Sequence, residues 1–80
     1  MQAKIHLTDV HLRGARALLK WSTYELAEKS GLAASTIASW ENGRHRPTAE
    51  TRAKVRDVLE AAGVEFLNGG SPGVRLRSKV

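Results

Sequence analysis

A mainly α fold, four helices followed by a C-terminal β-hairpin, is predicted by three features of this sequence. Apolar residues recur at helical spacing in four segments between Thr8 and Gly63. Cap residues and glycines punctuate those segments at Thr8, Ser22, Gly31, Gly43, Thr48 and Gly63. After Gly63 the period changes from helical to alternating, in Val64-Glu65-Phe66-Leu67 and Val74-Arg75-Leu76-Arg77. These two runs flank Asn68-Gly69-Gly70-Ser71-Pro72-Gly73, a turn composition, and read as a hairpin. Eighty residues make one domain. We divide it into an arm (1–7), a helical body (8–63) and a hairpin with a basic tail (64–80).

In the arm, Lys4-Ile5-His6-Leu7 alternates polar and apolar, and a frayed terminus is expected. Thr8 caps the first helix, and Asp9 suits its dipole. Val10, Leu12, Ala15, Leu18 and Leu19 form its apolar stripe. Gly14 costs about 1 kcal/mol relative to alanine, or marks the close approach of another backbone. Trp21 is expected as an apolar plug at the end of this helix.

Ser22 and Glu25 have the spacing of a capping box for the second helix. Leu26 and Ala27 give it an inward face, and the small Ala27 lets another helix come close. Gly31 ends it, because glycine accepts the left-handed conformation of a helix end. Leu32 anchors the turn. The third helix runs from about Ala34 to Glu41, with Ile37 and Trp40 one turn apart, and Gly43 closes it. Thr48 caps the fourth helix after Pro47, with Glu50 in its first turn. Thr51, Val55, Val58, Leu59 and Ala62 face inward and Gly63 stops it. Lys54 and Arg56 belong to its solvated surface.

Composition excludes several functions. There is no cysteine, hence no disulfide and no thiolate metal site. No apolar run approaches the ~20 residues of a membrane span, and the first residues lack the apolar core of a signal peptide. A cytoplasmic protein is expected. His6, His11 and His45 are scattered and lack the i, i+4 pairing of a metal-binding helix. The glycine-rich turn is no phosphate loop, since neither Gly-Lys-Ser/Thr nor a helix follows it. No serine or histidine stands in a nucleophile context. We expect no catalysis, no metal and no cofactor. The net charge of +5 is the footprint of a polyanion binder. Arg44, Arg46, Arg52, Lys54 and Arg56 make one basic cluster, and Arg75, Arg77 and Lys79 a second.

Leu26, Ala27, Gly31, Leu32, Ile37 and Trp40 fit a helix-turn-helix, whose second helix enters the major groove. With the capping box before it and Glu41-Asn42-Gly43-Arg44-His45-Arg46-Pro47 after it, the stretch resembles the Cro/cI-type, XRE-like repressor family over roughly residues 12–68. The resemblance implies a duplex-DNA-binding, nucleoid-associated regulator, most simply a repressor. It places Ala34, Ser35, Ala38 and Ser39 against base edges. The family often has long amides or arginine there, so this face is unusually small. Serine can bond several base edges and alanine can touch thymine methyls. Thr23, Thr36, Asn42, Arg44 and Arg46 fall where the family contacts phosphate. Ala33 stands where a capping serine or threonine is frequent, which leaves an N–H free for a phosphate oxygen.

The hairpin departs from the family, whose domains usually continue into a fifth helix. Val74 and Leu76 fall on one face, Arg75 and Arg77 on the other. A lone hairpin is marginal in water, so it must pack on the helices or pair with another copy. We expect the second, a homodimer held by Val64, Phe66, Val74 and Leu76. Two other readings stay open: an antitoxin whose hairpin holds a toxin, and a protein-interaction module that has lost DNA binding.

Overall fold

The computed structural model describes residues 7–67 and 73–77. Helices α1 (Asp9–Leu19), α2 (Thr23–Ser30), α3 (Ala34–Glu41) and α4 (Ala49–Ala61) precede strands β1 (Val64–Leu67) and β2 (Gly73–Leu76). The strands pair antiparallel, Val64 opposite Leu76 and Phe66 opposite Val74. The turn residues 68–72, the arm residues 1–6 and Lys79 lie outside the described residues.

Local chemistry sets the helix limits. The Ser22 hydroxyl accepts from Glu25 N–H at 3.1 Å, and the Glu25 carboxylate accepts from Ser22 N–H at 2.7 Å, closing the capping box on α2. Gly31 ends α2 in the left-handed region at φ 76°. Thr48 caps α4 by accepting from Thr51 N–H at 3.1 Å. Ala33 offers α3 no side-chain cap.

The Thr8 hydroxyl accepts from His11 N–H at 3.3 Å, and Thr8 N–H donates to His11 Nδ1 at 3.2 Å. Histidine thus takes the place glutamate holds in the α2 box. The imidazole is buried edge-on to Phe66, with ring centroids 5.7 Å apart. α1 ends at Lys20 in the left-handed region (φ 60°), a position the sequence leaves unmarked because no glycine stands there.

One apolar core joins all four helices to the hairpin through Leu12, Ala15, Leu26, Ile37, Trp40, Val55, Leu59, Val64 and Phe66. Three expectations change. Leu7 belongs to this core at 2% exposure, not to a frayed arm. It precedes the Thr8 cap and Leu12 lies four positions after that cap, which are the two positions of a hydrophobic staple. Val10 and Leu18 are largely exposed. At about 100° per residue, Val10 sits roughly 200° round the helix from Leu12 and cannot share its face. Trp21 is only half-buried, with the Lys29 ammonium 5.0 Å from its ring centre.

Gly14 explains how the hairpin docks. A Cβ there would stand 2.9 Å from Val74 Cγ2. The absent side chain lets β2 lie against the side of α1 turned away from Leu12, between Val10 and Leu18. The close approach is made by a β2 side chain. Among the described residues, no helix is long and apolar enough to cross a membrane.

Candidate nucleic-acid interface

α3 turns two faces in opposite directions. Ile37 and Trp40 are buried at 0% and 4% exposure and fix the helix to the core. Ser35 and Ala38 are exposed on the other side, while Ala34, Thr36 and Ser39 are half-buried. Ala34 also packs against the core, so its methyl is partly spent on the fold. The four residues expected at base edges therefore divide: Ser35 and Ala38 stand out, and Ala34 and Ser39 flank them.

The loop after α3 is tied to its last turn. Ser39 carbonyl accepts from Arg44 N–H at 2.9 Å and from His45 N–H at 3.2 Å, and Gly43 turns through φ 77°. These bonds hold the start of the loop against the C-terminal turn of α3. Asn42, Arg44 and Arg46 are exposed there. Among the described residues, neither arginine makes a side-chain hydrogen bond or ion pair. Thr23 is half-buried at the start of α2. Beside it Tyr24 is 75% exposed, an aromatic that the helical pattern alone does not single out.

The other basic residues are largely engaged. Arg75 pairs with Glu65 at 2.6 Å, and Arg77 reaches the same carboxylate at 3.7 Å. Arg52 donates to the Pro47 carbonyl at 2.6 Å, and Arg56 stands 3.6 Å from Asp57. Among the described residues, the two clusters thus leave Arg44, Arg46 and Lys54 without a hydrogen-bond or ion-pair partner, and of these Arg44 and Arg46 lie in the loop that follows α3.

The sequence gives no direct notice of the clamp that orients α3. Arg16 Nε and Nη2 of α1 each donate to one Glu41 oxygen at 2.8 Å, a bidentate pair. Nη1 of Arg16 donates to the Trp21 carbonyl at 2.9 Å, and Arg13 donates to the Glu41 carbonyl. The bond from Glu41 raises the Arg16 pKa above the ordinary arginine value, against the opposing effect of burial. Glu41 lies four residues after Ile37, on the inward face, and that spacing is the signal by which it could be found.

Of the four hairpin residues assigned to a second copy, the structure leaves one free. Val64 and Phe66 are buried in their own core, Val74 is half-buried against Gly14, and Leu76 is 46% exposed. The hairpin covers the core of its own chain.

Residues 12–64, more than half of the chain, match the helix-turn-helix family. No curated protein matches the sequence. The match, over a chain whose described fold is four helices and a hairpin, fixes the kind of molecule this is: the chain belongs to the XRE/Cro-cI-type helix-turn-helix family of DNA-binding regulators.

Proposed function

We propose that the chain is a transcriptional repressor that binds duplex DNA as a two-fold homodimer, with α3 in the major groove. The observation that carries this reading is that α3 exposes Ser35 and Ala38 while the loop tied to its last turn exposes the unpaired Arg44 and Arg46. Ser35, Ala38 and Ser39 read base edges, with Ala34 at the margin of the face. Arg44, Arg46, Asn42, Thr36 and Thr23 hold phosphates. Ala33 leaves the first N–H groups of α3 uncapped, and a phosphate oxygen satisfies one of them.

The dimer reading rests on a narrower surface than the sequence suggests. Val10, Leu18 and Leu76 remain exposed around the contact between α1 and β2, and β2 has one paired neighbour among the described residues. An open strand edge beside an exposed apolar strip favours a second copy. Two α3 helices then stand about one DNA turn, roughly 34 Å, apart, and operators are inverted repeats.

Selection from random duplex DNA, followed by sedimentation of the protein alone, tests both parts. Enrichment of an inverted repeat and a concentration-dependent dimer are expected. Failure to enrich any sequence overturns base reading by α3, and a monomer at high concentration overturns the dimer.

A further inference from the structure

The strip of α1 beneath the hairpin continues past it. Phe66 of β1 packs against His11, and Val74, opposite Phe66 on β2, lies against Gly14. One step across the sheet, from β1 to β2, thus advances three residues along α1. Three residues rise about 4.5 Å, close to the ~4.8 Å between neighbouring strands. A further step of that size lies over Ala17 and Leu18, both exposed, Leu18 at 38%. Residues 11, 14 and 18 fall on one side of the helix.

The edge of β2 beside that strip is open. Arg77 N–H donates to the Gly63 carbonyl at 2.6 Å, so the backbone groups of Arg75 also turn toward β1, and those of Val74 and Leu76 turn away. Among the described residues, those outward N–H and C=O groups have no backbone partner. The side chains alternate too. Val74 and Leu76 share the inner face with Val64 and Phe66, while Arg75 and Arg77 share the outer face with Glu65. One carboxylate, Glu65, serves both guanidinium groups, at 2.6 Å and 3.7 Å, which leaves this face with an excess of positive charge.

We propose that the free edge of β2 takes a third strand from another protein, a segment that alternates apolar and acidic residues. Its apolar side chains cover Ala17 and Leu18, its acidic ones lie beside Arg75 and Arg77, and its backbone bonds to Val74 and Leu76. A second copy of the chain fits this edge less well. Two β2 strands paired with their inner faces matched, Val74 opposite Leu76, bring two Arg75 side chains face to face, and like charges directly opposite are destabilising. An acidic strand therefore displaces a second copy from β2 and separates the dimer. That displacement rests on the dimer reading above; the binding of the strand does not.

The probe is a capped synthetic peptide, Ser-Val-Glu-Val-Glu-Val-Ser, added to the full-length protein without DNA and followed by nuclear magnetic resonance. Saturable shifts are expected at the Val74 and Leu76 amides and at the Leu18 methyls. Hydrogen exchange should slow at those amides and stay unchanged at Arg75, whose N–H already faces β1. The same peptide with lysine in place of glutamate should bind about tenfold more weakly. Arg75→Glu, at an exposed position, should invert that preference. Leu18→Ser should weaken the acidic peptide by about threefold to tenfold. The absence of saturable shifts overturns the proposal, and so does equal binding of the acidic and basic peptides. Slow exchange at Val74 and Leu76 in the dilute protein alone would show that the chain covers its own edge, and would also overturn it. In a separate measurement, sedimentation with the acidic peptide should convert dimer to monomer. A dimer that persists with the peptide bound overturns the displacement while leaving strand binding standing. A protein that is monomeric without the peptide removes the dimer reading, and strand binding again stands.

Discussion

Glu41→Gln tests the clamp on which the position of α3 depends. The substitution keeps the shape of the side chain and removes its charge. It leaves Arg16 charged, with its side chain 24% exposed, beside a group that can match only part of its bidentate bond. Removing one partner of a buried pair costs about 3–5 kcal/mol. Here the guanidinium can partly rehydrate, which places the loss nearer about 2–3 kcal/mol. A chain of this length has a total stability of about 4–12 kcal/mol at ordinary values per residue. The variant should therefore lose from about a sixth to about three quarters of it. Each kcal/mol moves the Tm of such a domain by about 4–8 °C, so thermal unfolding followed by circular dichroism should shift down by roughly 10–20 °C. Arg16→Met combined with Glu41→Leu should recover much of this, since an apolar pair needs no desolvation of charge. The raised Arg16 pKa means that its part in the pair is complete at every pH below the ordinary arginine value and is lost only above it. The arginine therefore adds no pH dependence between pH 5 and pH 9. A Tm drop under about 2 °C for Glu41→Gln would show that the pair contributes no more than a surface bridge and would refute the clamp.

Three further changes test other parts. Gly14→Ala puts a methyl within 2.9 Å of Val74 Cγ2, and overpacking of about 1–3 kcal/mol should exceed the ~1 kcal/mol gained in helix propensity; denaturant unfolding should show a net loss that Val74→Ala relieves. Replacing Arg44 and Arg46 by alanine should weaken binding to all duplexes alike and shrink the slope of log affinity against log salt by about 0.9 per lost phosphate contact; an unchanged slope, measured by fluorescence anisotropy, places them away from the backbone. Truncation after Gly63 strips Val64 and Phe66 from the core, at about 1.5–3 kcal/mol for each buried side chain before any cavity cost; the shortened chain should lose its cooperative unfolding transition, and a well-folded monomer would show that the hairpin contributes only association.

The helices were legible because their signals are local. A capping box, a glycine stop and an apolar pair one turn apart each act within a few residues, so Ser22, Gly31, Ile37 and Trp40 could be placed from the sequence. What escaped depends on contacts between distant segments. Leu7 looks like the last residue of an arm until the core it enters is known. His11 looks like a lone histidine until Phe66 folds over it. Arg16 and Glu41 are 25 residues apart, and nothing in either segment announces the other. The apolar residues of the hairpin misled for the same reason. Alternation shows that Val64 and Phe66 share a face, but it cannot say whether that face meets its own helices or another copy.

The small recognition face constrains how a regulator of this kind could select its operator. Specific sites are bound about 4–10 kcal/mol more tightly than random DNA. A bidentate base contact discriminates by about 1–3 kcal/mol, and a single serine hydroxyl by less, about 1 kcal/mol. On the proposed reading, Ser35 and Ser39 together would supply at most about 2 kcal/mol from one α3, below the range that operator selection needs. Doubling by a two-fold axis brings this to about 4 kcal/mol, the lower edge of that range. Methyl contacts from Ala38 and the deformability of DNA between the half-sites can add the remainder. If the chain pairs as proposed, discrimination should therefore fall by about half when the dimer is lost, while affinity for any duplex through Arg44 and Arg46 should persist. Leu76→Lys, at an exposed position that leaves the core intact, should make the chain monomeric and reduce the preference for operator over random DNA by roughly the 2 kcal/mol of one half-site. A monomer that keeps its full preference would mean that a single α3 reads more than two hydroxyls can, and that long side chains outside this helix, such as Tyr24 or Arg44, reach the bases.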